Sequence, residues 1–348
     1  LFPILVISFL IGKGYMKAFY FVMLLGLFSS IPLQAQQREY VLLVHGGAGN
    51  IASVEKDDAK SGLYYAALDS ALMIGNAILS AGGEGEEAVR AVIRYFESNP
   101  LFNAGVGATC TADGTFELDA AIMRGRDLSA GTVAGVKLVK HPIEVAYSVM
   151  TASPHVMLSG AGAEDFARSN GLEMVATNEY FATPKTQRWI DELKQSSKKN
   201  GTVGCVVLDS KGNLTAGTST GGMFKKKWGR IGDSPIIGAG TYADNASCAV
   251  SCTGHGEYFI RHAVAYDVCA RYKYLKQSVG EAASNIIHHV LNAEAGNGGL
   301  IAVDKDGNFA MPFNSTGMYR GYIYKDAETG KWKKGVGIGN KMIEDVQH

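Results

Sequence analysis

Apolar residues follow two spacings along this chain, and each spacing predicts its own kind of element. Over 84–97 they recur every three or four positions, as on one face of a helix. Over 40–44 and 203–208 they form short continuous runs, which are typical of buried strands. The same patterns predict, in chain order, helix 54–80, strand 133–139, helix 141–150, strand 246–250, helix 257–275 and helix 279–293.

Three segments have the pattern strand, turn, strand. They span 109–123, 204–218 and 300–311, with polar turns at 112–115, 209–213 and 304–308. Hairpins grouped between helical pairs indicate antiparallel sheet covered by helices, the α+β class, because a parallel sheet requires strict alternation of strand and helix. The stretch 183–201, rich in Lys, Gln, Ser and Asn, is predicted to be a linker.

The composition is that of a globular protein, with 47% hydrophobic and 19% charged residues. The formal net charge is zero and no cluster of Lys or Arg is interleaved with aromatic residues, so we expect no nucleic-acid partner. Five cysteines show no metal-ligand spacing and have apolar or small neighbours, which favours buried free thiols. They are Cys110, Cys205, Cys248, Cys252 and Cys269.

The first 35 residues are expected to be a secretory signal. Met16-Lys17 is followed by the apolar run 18–28 and by Ala35 as a small residue at the cleavage point. Residues 1–15 are interpreted as an upstream extension of the gene. The competing interpretation is an uncleaved anchor, but Gly12-Lys13-Gly14 interrupts the run, and neither half reaches the roughly 18 apolar residues of a membrane span. We therefore expect export to a periplasm, without stable membrane insertion after processing.

Thr202 stands at a junction between a polar and an apolar segment. It follows the lysine-rich stretch 195–201, which suits cleavage, and it opens the run 203–208. A Thr at a chain N-terminus carries its own base, because its α-amine titrates at about pH 8 and lies beside its hydroxyl. Two interpretations are open: Thr202 simply begins a strand, or it is internal when synthesised and N-terminal when it works.

A second hydroxyl is predicted to lie beside Thr202. Pairing Leu208 with Leu214 across the turn brings 218–220 back alongside Thr202. Thr220 would there orient the hydroxyl and amine of a Thr nucleophile. The alternative is a strand end that is rich in Thr and has no further role.

Three polar side chains in glycine-containing loops suit the recognition of a small molecule. Arg230 and Asp233, three positions apart, match the carboxylate and the ammonium of an amino-acid head group, although they also match an ordinary surface ion pair. In the loop 99–107, Asn103 alone has a side chain fit to hydrogen-bond a substrate or water.

Two glycine-containing segments follow predicted strands. His45-Gly46-Gly47-Ala48-Gly49 lacks the spacing of a phosphate-binding loop and is predicted to be a tight turn. The segment 251–257 is predicted to be a strand-to-helix turn whose backbone N–H groups and Thr253 hydroxyl face a developing oxyanion. His255 is not required as a base there, since the amine of Thr202 would serve.

These motifs occur together in one order over about residues 39–320, and in that arrangement the chain resembles the plant-type asparaginase / isoaspartyl peptidase family of N-terminal-nucleophile hydrolases. The motifs are His45-Gly-Gly-Ala-Gly, Asn99-Pro-Leu-Phe-Asn-Ala-Gly, Glu117-Leu-Asp-Ala, Gly201-Thr-Val-Gly, Thr218-Ser-Thr-Gly-Gly, Gly229-Arg-Ile-Gly-Asp-Ser-Pro and Thr253-Gly-His-Gly-Glu.

The resemblance implies a four-layer αββα fold and self-cleavage between Gly201 and Thr202. It divides the exported protein into an α chain, 36–201, and a β chain, 202–348, which assemble as a dimer of αβ heterodimers. The implied substrates are L-asparagine and β-aspartyl dipeptides, cleaved through a β-aspartyl ester on the enzyme.

The resemblance also assigns roles by position. Thr202 matches the nucleophile, Thr220 its hydroxyl partner, and Arg230 and Asp233 the residues that hold the substrate's α-carboxylate and α-amine. Others match oxyanion, head-group and site-lining contacts: Thr253, Gly254, Asn103 and the loop 45–47. No catalytic cofactor is implied. A structural sodium ion is implied on the backbone carbonyls of Phe96, Glu97, Asn99, Phe102, Ala104 and Val106.

Two alternatives remain beside this assignment. One is a secreted glycosylasparaginase, but such enzymes typically have Asp before the Thr, where this chain has Gly201. The other is a homologue that does not process itself and binds amino acids. Two fragments on a denaturing gel would exclude the second alternative.

Overall fold

The computed structural model describes residues 38–184, 186–187, 201–326 and 328–346. Its strands are β1 (Arg38–Gly49), β2 (Leu118–Arg124), β3 (Ala130–Val136), β4 (Met157–Ser159), β5 (Val203–Leu208), β6 (Leu214–Thr220), β7 (Thr241–Ala243), β8 (Cys248–Gly254), β9 (Gly298–Asp304), β10 (Phe309–Ala310), β11 (Gly317–Asp326), β12 (Trp332–Ile338) and β13 (Lys341–Val346). The described helices are α1 (Ala52–Glu55), α2 (Asp58–Ser80), α3 (Gly85–Glu97), α4 (Pro142–Ala152), α5 (Gly160–Ser169), α6 (Gly256–Arg261), α7 (Val264–Leu275), α8 (Val279–Asn285) and α9 (Leu291–Ala293).

Two sheets organise the fold and confirm the α+β class. One has nine strands in the order β13-β12-β11-β1-β5-β6-β2-β3-β4, and the other has four in the order β10-β9-β8-β7. Helices α2, α3 and α4 pack on the larger sheet, while α7 and α8 pack on the smaller one. Strands β1 and β5 of the larger sheet contact β8 and β9 of the smaller.

Strand β1 shows why the predicted run 40–44 is continuously apolar. Leu42 and Val44 are buried in the core under the helices, whereas Val41 and Leu43 are buried in a separate core with Ile301 of β9. Successive side chains of a strand point to opposite faces. A strand covered on both faces therefore needs apolar residues at every position.

The predicted turn at 45–49 is wrong, because β1 continues through it to Gly49 and pairs with β11. A register shift lies between His45 and Gly47. Gly47 has φ +109°, and a Cβ there would lie 3.0 Å from Gly201 Cα. Glycine at position 47 therefore permits both this backbone conformation and the close approach of the segment that contains Gly201. The strand-to-helix turn predicted in 251–257 is present but shorter, since β8 runs on to Gly254 and α6 begins at Gly256.

Two of the three predicted hairpins are confirmed. Leu208 pairs with Leu214 in β5–β6, and Val303 pairs with Phe309 in β9–β10. The hairpin predicted at 109–123 is wrong: its second half is β2, which pairs with β3 and β6 instead.

The predicted helices lie at the predicted positions, but several of them are interrupted. The stretch 54–80 is divided between α1 and α2, and 257–275 between α6 and α7, where Ala263 has φ +45°. The capped helix at 279–293 contains a π-helical segment, Ile286–Val290. The five cysteines are all buried and free, as expected. The segment 1–35 and most of the linker 183–201 lie outside the described residues.

Candidate active site

The peptide bond between Gly201 and Thr202 lies where β1, β5 and β6 meet, with Thr202 buried and Gly201 half-buried. The carbonyl oxygen of Gly201 accepts two hydrogen bonds, from Asn103 Nδ2 at 2.6 Å and from Thr220 Oγ1 at 3.1 Å. Asn103 Oδ1 accepts from the backbone N–H of Thr109 at 2.8 Å, which fixes the orientation of the amide group. Two donors are thus aimed at one carbonyl, an arrangement that polarises its carbon.

The hydroxyl of Thr220 also contacts the side chain of Thr202. Thr202 Oγ1 donates to Thr220 Oγ1 at 3.1 Å, and the N–H of Gly222 donates to the same oxygen at 2.9 Å. The hydroxyl of Thr220 therefore accepts two hydrogen bonds and donates one, to Gly201, which uses all of its capacity. The predicted pairing is confirmed, because Val203 lies opposite Ser219 in the sheet.

His45 holds the carbonyl oxygen of Thr202. Its Nδ1 lies 3.0 Å from that oxygen and its Nε2 lies 3.0 Å from Ser251 Oγ. Because a carbonyl can only accept, Nδ1 carries the proton and Nε2 accepts from Ser251. Burial lowers the pKa of His45 to about 3, so the ring is neutral.

The hydrogen bonds continue beyond Ser251 into the interface between the sheets. Thr218 Oγ1 lies 2.7 Å from Ser251 Oγ, and Thr241 Oγ1 lies 2.6 Å from Thr218 Oγ1. Thr241 Oγ1 is also 3.0 Å from the carbonyl oxygen of Ser234, next to Asp233. A series of buried hydroxyls therefore connects His45 and the carbonyl of Thr202 with the loop that carries the predicted head-group ligands.

Arg230 and Asp233 face the same pocket as Thr202, but they do not form the simple ion pair that their spacing allowed. Arg230 Nε and Nη2 bind the two carboxylate oxygens of Glu257 at 2.9 and 3.0 Å. Asp233 Oδ2 has no hydrogen-bond partner among the described residues. Burial raises the pKa of Asp233 to about 7, an effect that Arg230 partly opposes. A buried carboxylate oxygen without a partner is suited to receive a cation from a ligand.

Thr253 and Gly254 lie at the end of β8, not on a turn. Gly254 lines the pocket of Thr202, and Thr253 Oγ1 accepts from the N–H of Ala48 at 3.2 Å. His255 lies outside that lining, and its Nδ1 is buried with no hydrogen-bond partner among the described residues. The site is thus assembled from both sheets.

Three buried charged side chains lie behind the site, and no role was predicted for any of them; for Glu97 only the backbone carbonyl was predicted as a ligand. Glu97 accepts from Ser219 Oγ at 2.7 Å and lies 3.2 Å from His141 Nδ1. Lys226 Nζ lies 3.9 Å from Asp119 Oδ2, and Asp119 pairs with Thr220 across β2 and β6. Burial raises the pKa of Glu97 and Asp119. For Asp119 the available signal was an acidic residue in the otherwise apolar run 118–123, since such a residue needs a buried partner.

The loop after α3 contains the carbonyls predicted to hold sodium. A Cβ added at Gly105 would meet the carbonyl oxygen of Glu97, and one added at Gly107 would meet that of Phe102. These two carbonyl oxygens therefore lie close to the loop glycines. Val106 N donates to Glu97 O at 2.7 Å, which leaves that oxygen a second lone pair. Hard oxygen donors of this kind fit an alkali cation.

Comparison with known proteins identifies the family. A family model described as asparaginase matches residues 38–331.

The chain belongs to the asparaginase family.

Individual relatives of this asparaginase-family chain cover most of its length. It is 46% identical to the isoaspartyl peptidase of Salmonella typhimurium over 298 residues, which are 82% of this chain and 95% of that protein. It is 44% identical to the isoaspartyl peptidase of Escherichia coli, over 82% of this chain and 92% of that protein. The isoaspartyl peptidase/L-asparaginase of Mus musculus is 38% identical, over 88% and 93%.

Proposed function

We propose that this protein is an amidohydrolase that cleaves itself between Gly201 and Thr202 and then hydrolyses β-aspartyl peptides and L-asparagine with Thr202 as its nucleophile. The observation that carries the proposal is the pair of donors on Gly201 O beside the hydroxyl of Thr202. The names of the relatives support the substrate class.

Self-cleavage would begin with attack of Thr202 Oγ1 on the carbonyl carbon of Gly201. The hydroxyl proton leaves toward Thr220 Oγ1, its hydrogen-bond acceptor, and reaches the amide nitrogen as the C–N bond breaks. Asn103 Nδ2 and Thr220 Oγ1 stabilise the oxyanion. Water then opens the resulting ester, which leaves a carboxylate on Gly201 and a free amine on Thr202.

The free amine of Thr202 would then act as base in the hydrolytic reaction. Thr202 Oγ1 attacks the side-chain carbonyl of an L-aspartyl group, and the amine transfers the proton to the departing amine or ammonia. Donors at Thr253 and Gly254 are assigned to the oxyanion of this step. Water hydrolyses the β-aspartyl ester and restores the free hydroxyl.

The head group of the substrate would be held by Arg230 and Asp233. Glu257 binds the Nε edge of Arg230, while Nη1 faces Gly222 and Gly232 inside the pocket of Thr202. The α-carboxylate is assigned to this free side and the α-ammonium to Asp233. Both contacts require unblocked groups, so N-acetylated and α-amidated β-aspartyl compounds should be poor substrates.

Several features of the resemblance extend this proposal. The packing of helices on both sheets supports a four-layer αββα arrangement. We also propose an α chain ending at Gly201, a β chain starting at Thr202, a dimer of αβ heterodimers, export to a periplasm, and a structural sodium ion on the loop after α3. No step of the chemistry passes through the sodium ion.

One preparation tests the proposal. N-terminal sequencing of the purified protein should find a fragment that starts at Thr202, and Thr202→Ala should remain a single folded chain without activity. Assays of β-aspartyl-leucine, its N-acetyl form, asparagine and an N-glycosylated asparagine should favour the first and third compounds. A clear preference for the glycosylated compound would instead assign the chain to the glycosylasparaginases.

A further inference from the structure

Two cavities meet at Gly201. The smaller has a volume of about 10 Å³, room for about one water molecule, and is lined by Thr202, Thr220, Arg230 and Asp233 among others. The larger has a volume of about 430 Å³ and lies toward α2 and the Asn103 loop. Among the described residues, Gly201 is the one that lines both cavities. The residue that self-cleavage would detach from Thr202 therefore separates them.

Apolar, aromatic and polar residues together line the larger cavity. Tyr64 stacks on Tyr319 with 4.2 Å between ring centroids, and its hydroxyl donates to the carbonyl oxygen of Leu101 at 3.1 Å. These contacts hold two aromatic rings in place as a preformed wall. Among the described lining residues, Lys60 is the one that carries a charge. The volume and the lining are those of a small-molecule site with one cationic group.

The chemistry proposed above determines which part of a substrate would reach this cavity. The leaving amine must take its proton from the Thr202 amine, which stands where Gly201 is bonded in the uncleaved chain. The head group is bound on the opposite side, at Arg230 and Asp233. The leaving group must therefore extend from Thr202 in the direction of Gly201, and the larger cavity begins there.

We propose that the cavity bounded by Ser53, Lys60, Tyr64 and Tyr319 binds the amino acid on the amine side of the β-aspartyl bond. This inference rests on the proposed function and adds a preference to it. The apolar and aromatic part of the wall suits an apolar side chain, and Lys60 suits the free carboxylate of a dipeptide. A cationic leaving residue, as in β-aspartyl-lysine, should be disfavoured, since the described lining offers it no acidic partner.

Narrowing the cavity tests the assignment. Ser53 lines it and is exposed on α1, so Ser53→Trp would place a large side chain at its wall. Ala66→Trp on the exposed face of α2, outside the lining, is the matched control. For Ser53→Trp, kcat/KM for β-aspartyl-leucine should fall about tenfold or more, within the usual range for a blocked apolar pocket. The value for asparagine, which releases only ammonia, should stay within about twofold of wild type.

The charge at Lys60 provides a second, gentler test. Its side chain is 64% exposed and binds Asp57 at 2.8 Å, so the effect of its charge on a ligand is small. Lys60→Met should lower kcat/KM for β-aspartyl-leucine about threefold. The kcat/KM for the C-terminal amide of the same dipeptide should not change. Lys56→Met changes an exposed residue that does not line the cavity, so kcat/KM should stay the same for both compounds.

The outcomes separate the two proposals. If the wild-type protein hydrolyses neither β-aspartyl-leucine nor asparagine, the proposed function itself is wrong. If it hydrolyses both and Ser53→Trp or Lys60→Met leaves their ratio unchanged in folded, self-cleaved protein, the leaving-group assignment is overturned and the cavity has another occupant, such as the chain end released at Gly201.

Discussion

Asn103 offers a direct test of self-cleavage, because its side chain makes the shorter of the two hydrogen bonds to Gly201 O. Asn103→Ala removes the Nδ2 donor at 2.6 Å and leaves Thr220 Oγ1, at 3.1 Å, as the remaining donor. The variant keeps Thr202 and Thr220. However, it also loses the contacts of Asn103 with the Thr109 N–H and the Gly222 carbonyl, so the fold of the uncleaved chain must be checked. We expect a folded protein that cleaves slowly.

The size of the effect follows from what the donor does in the transition state. Removing one oxyanion donor typically costs about 3 kcal/mol, or between a hundredfold and a thousandfold in rate. Asn103 already contacts the planar carbonyl before reaction, so part of this interaction is present in the ground state and does not accelerate cleavage. We therefore expect the lower end of the range, a cleavage rate about a hundredfold below wild type.

The assay is a time course of newly synthesised protein on a denaturing gel, with intact mass as a second readout. Circular dichroism confirms the fold of the uncleaved chain. Asn50→Ala, an exposed amide just beyond the β1 glycines, is the control and should cleave at the wild-type rate. If folded Asn103→Ala also cleaves at that rate, Asn103 does not stabilise the oxyanion, and the contact at 2.6 Å is only structural.

Three further predictions concern the mature enzyme. Since burial raises the pKa of Asp233 to about 7, its carboxylate forms as the pH rises, so KM for asparagine should fall between about pH 6 and 8 and the trend should vanish in Asp233→Asn. Arg230→Lys should raise KM strongly, because an ammonium cannot bind Glu257 and a substrate carboxylate through separate edges; an unchanged KM would contradict the head-group assignment. Ser251→Ala leaves Nε2 of buried His45 without its donor, which should lower kcat about tenfold at nearly constant KM, whereas an equal kcat would show that the ring needs no partner.

The sequence predicted parts of the fold whose signals are local. The register of the β5–β6 hairpin was predicted correctly. Its two apolar strands and the turn between them are contiguous in sequence, so the turn determines that Leu208 pairs with Leu214. That register places Thr220 beside Thr202.

Strands β12 and β13 pair with neighbouring strands in the chain, Trp332 with Lys325 and Lys341 with Ile338, so their hairpins had local signals that the prediction missed. The pairing of β11 with β1 was not predicted for a different reason, since Tyr40 pairs with Lys325, far away in the chain. Local periodicity carries no information on such pairings.

Glycine-rich segments were misjudged for a related reason. The segment from His45 to Gly49 has the composition of a turn, but it forms part of a strand. Its glycines allow other segments of the same chain to approach closely. A Cβ at Gly46 would meet the ring of Phe102, and one at Gly204 would meet both His45 and Ser251. A glycine can either form a turn or allow another segment to approach closely. Which of the two applies depends on residues far away in the sequence, and the local sequence does not identify them.

The contacts around the Gly201–Thr202 bond fall into two groups: those that the proposed cleavage would break and those that would remain. Asn103 and Thr220 bind the carbonyl of Gly201, on the side that the proposed cleavage would release, so cleavage would end both contacts. His45 binds the carbonyl of Thr202 itself, on the side that stays. A new chain terminus tends to fray unless it is tied down, and His45 supplies that tie without depending on the broken bond. The hydroxyl of Thr220, freed from Gly201, regains a proton to donate. The uncleaved chain therefore lacks both the amine base and a free Thr220 donor, and hydrolysis should begin only after the peptide bond is cut.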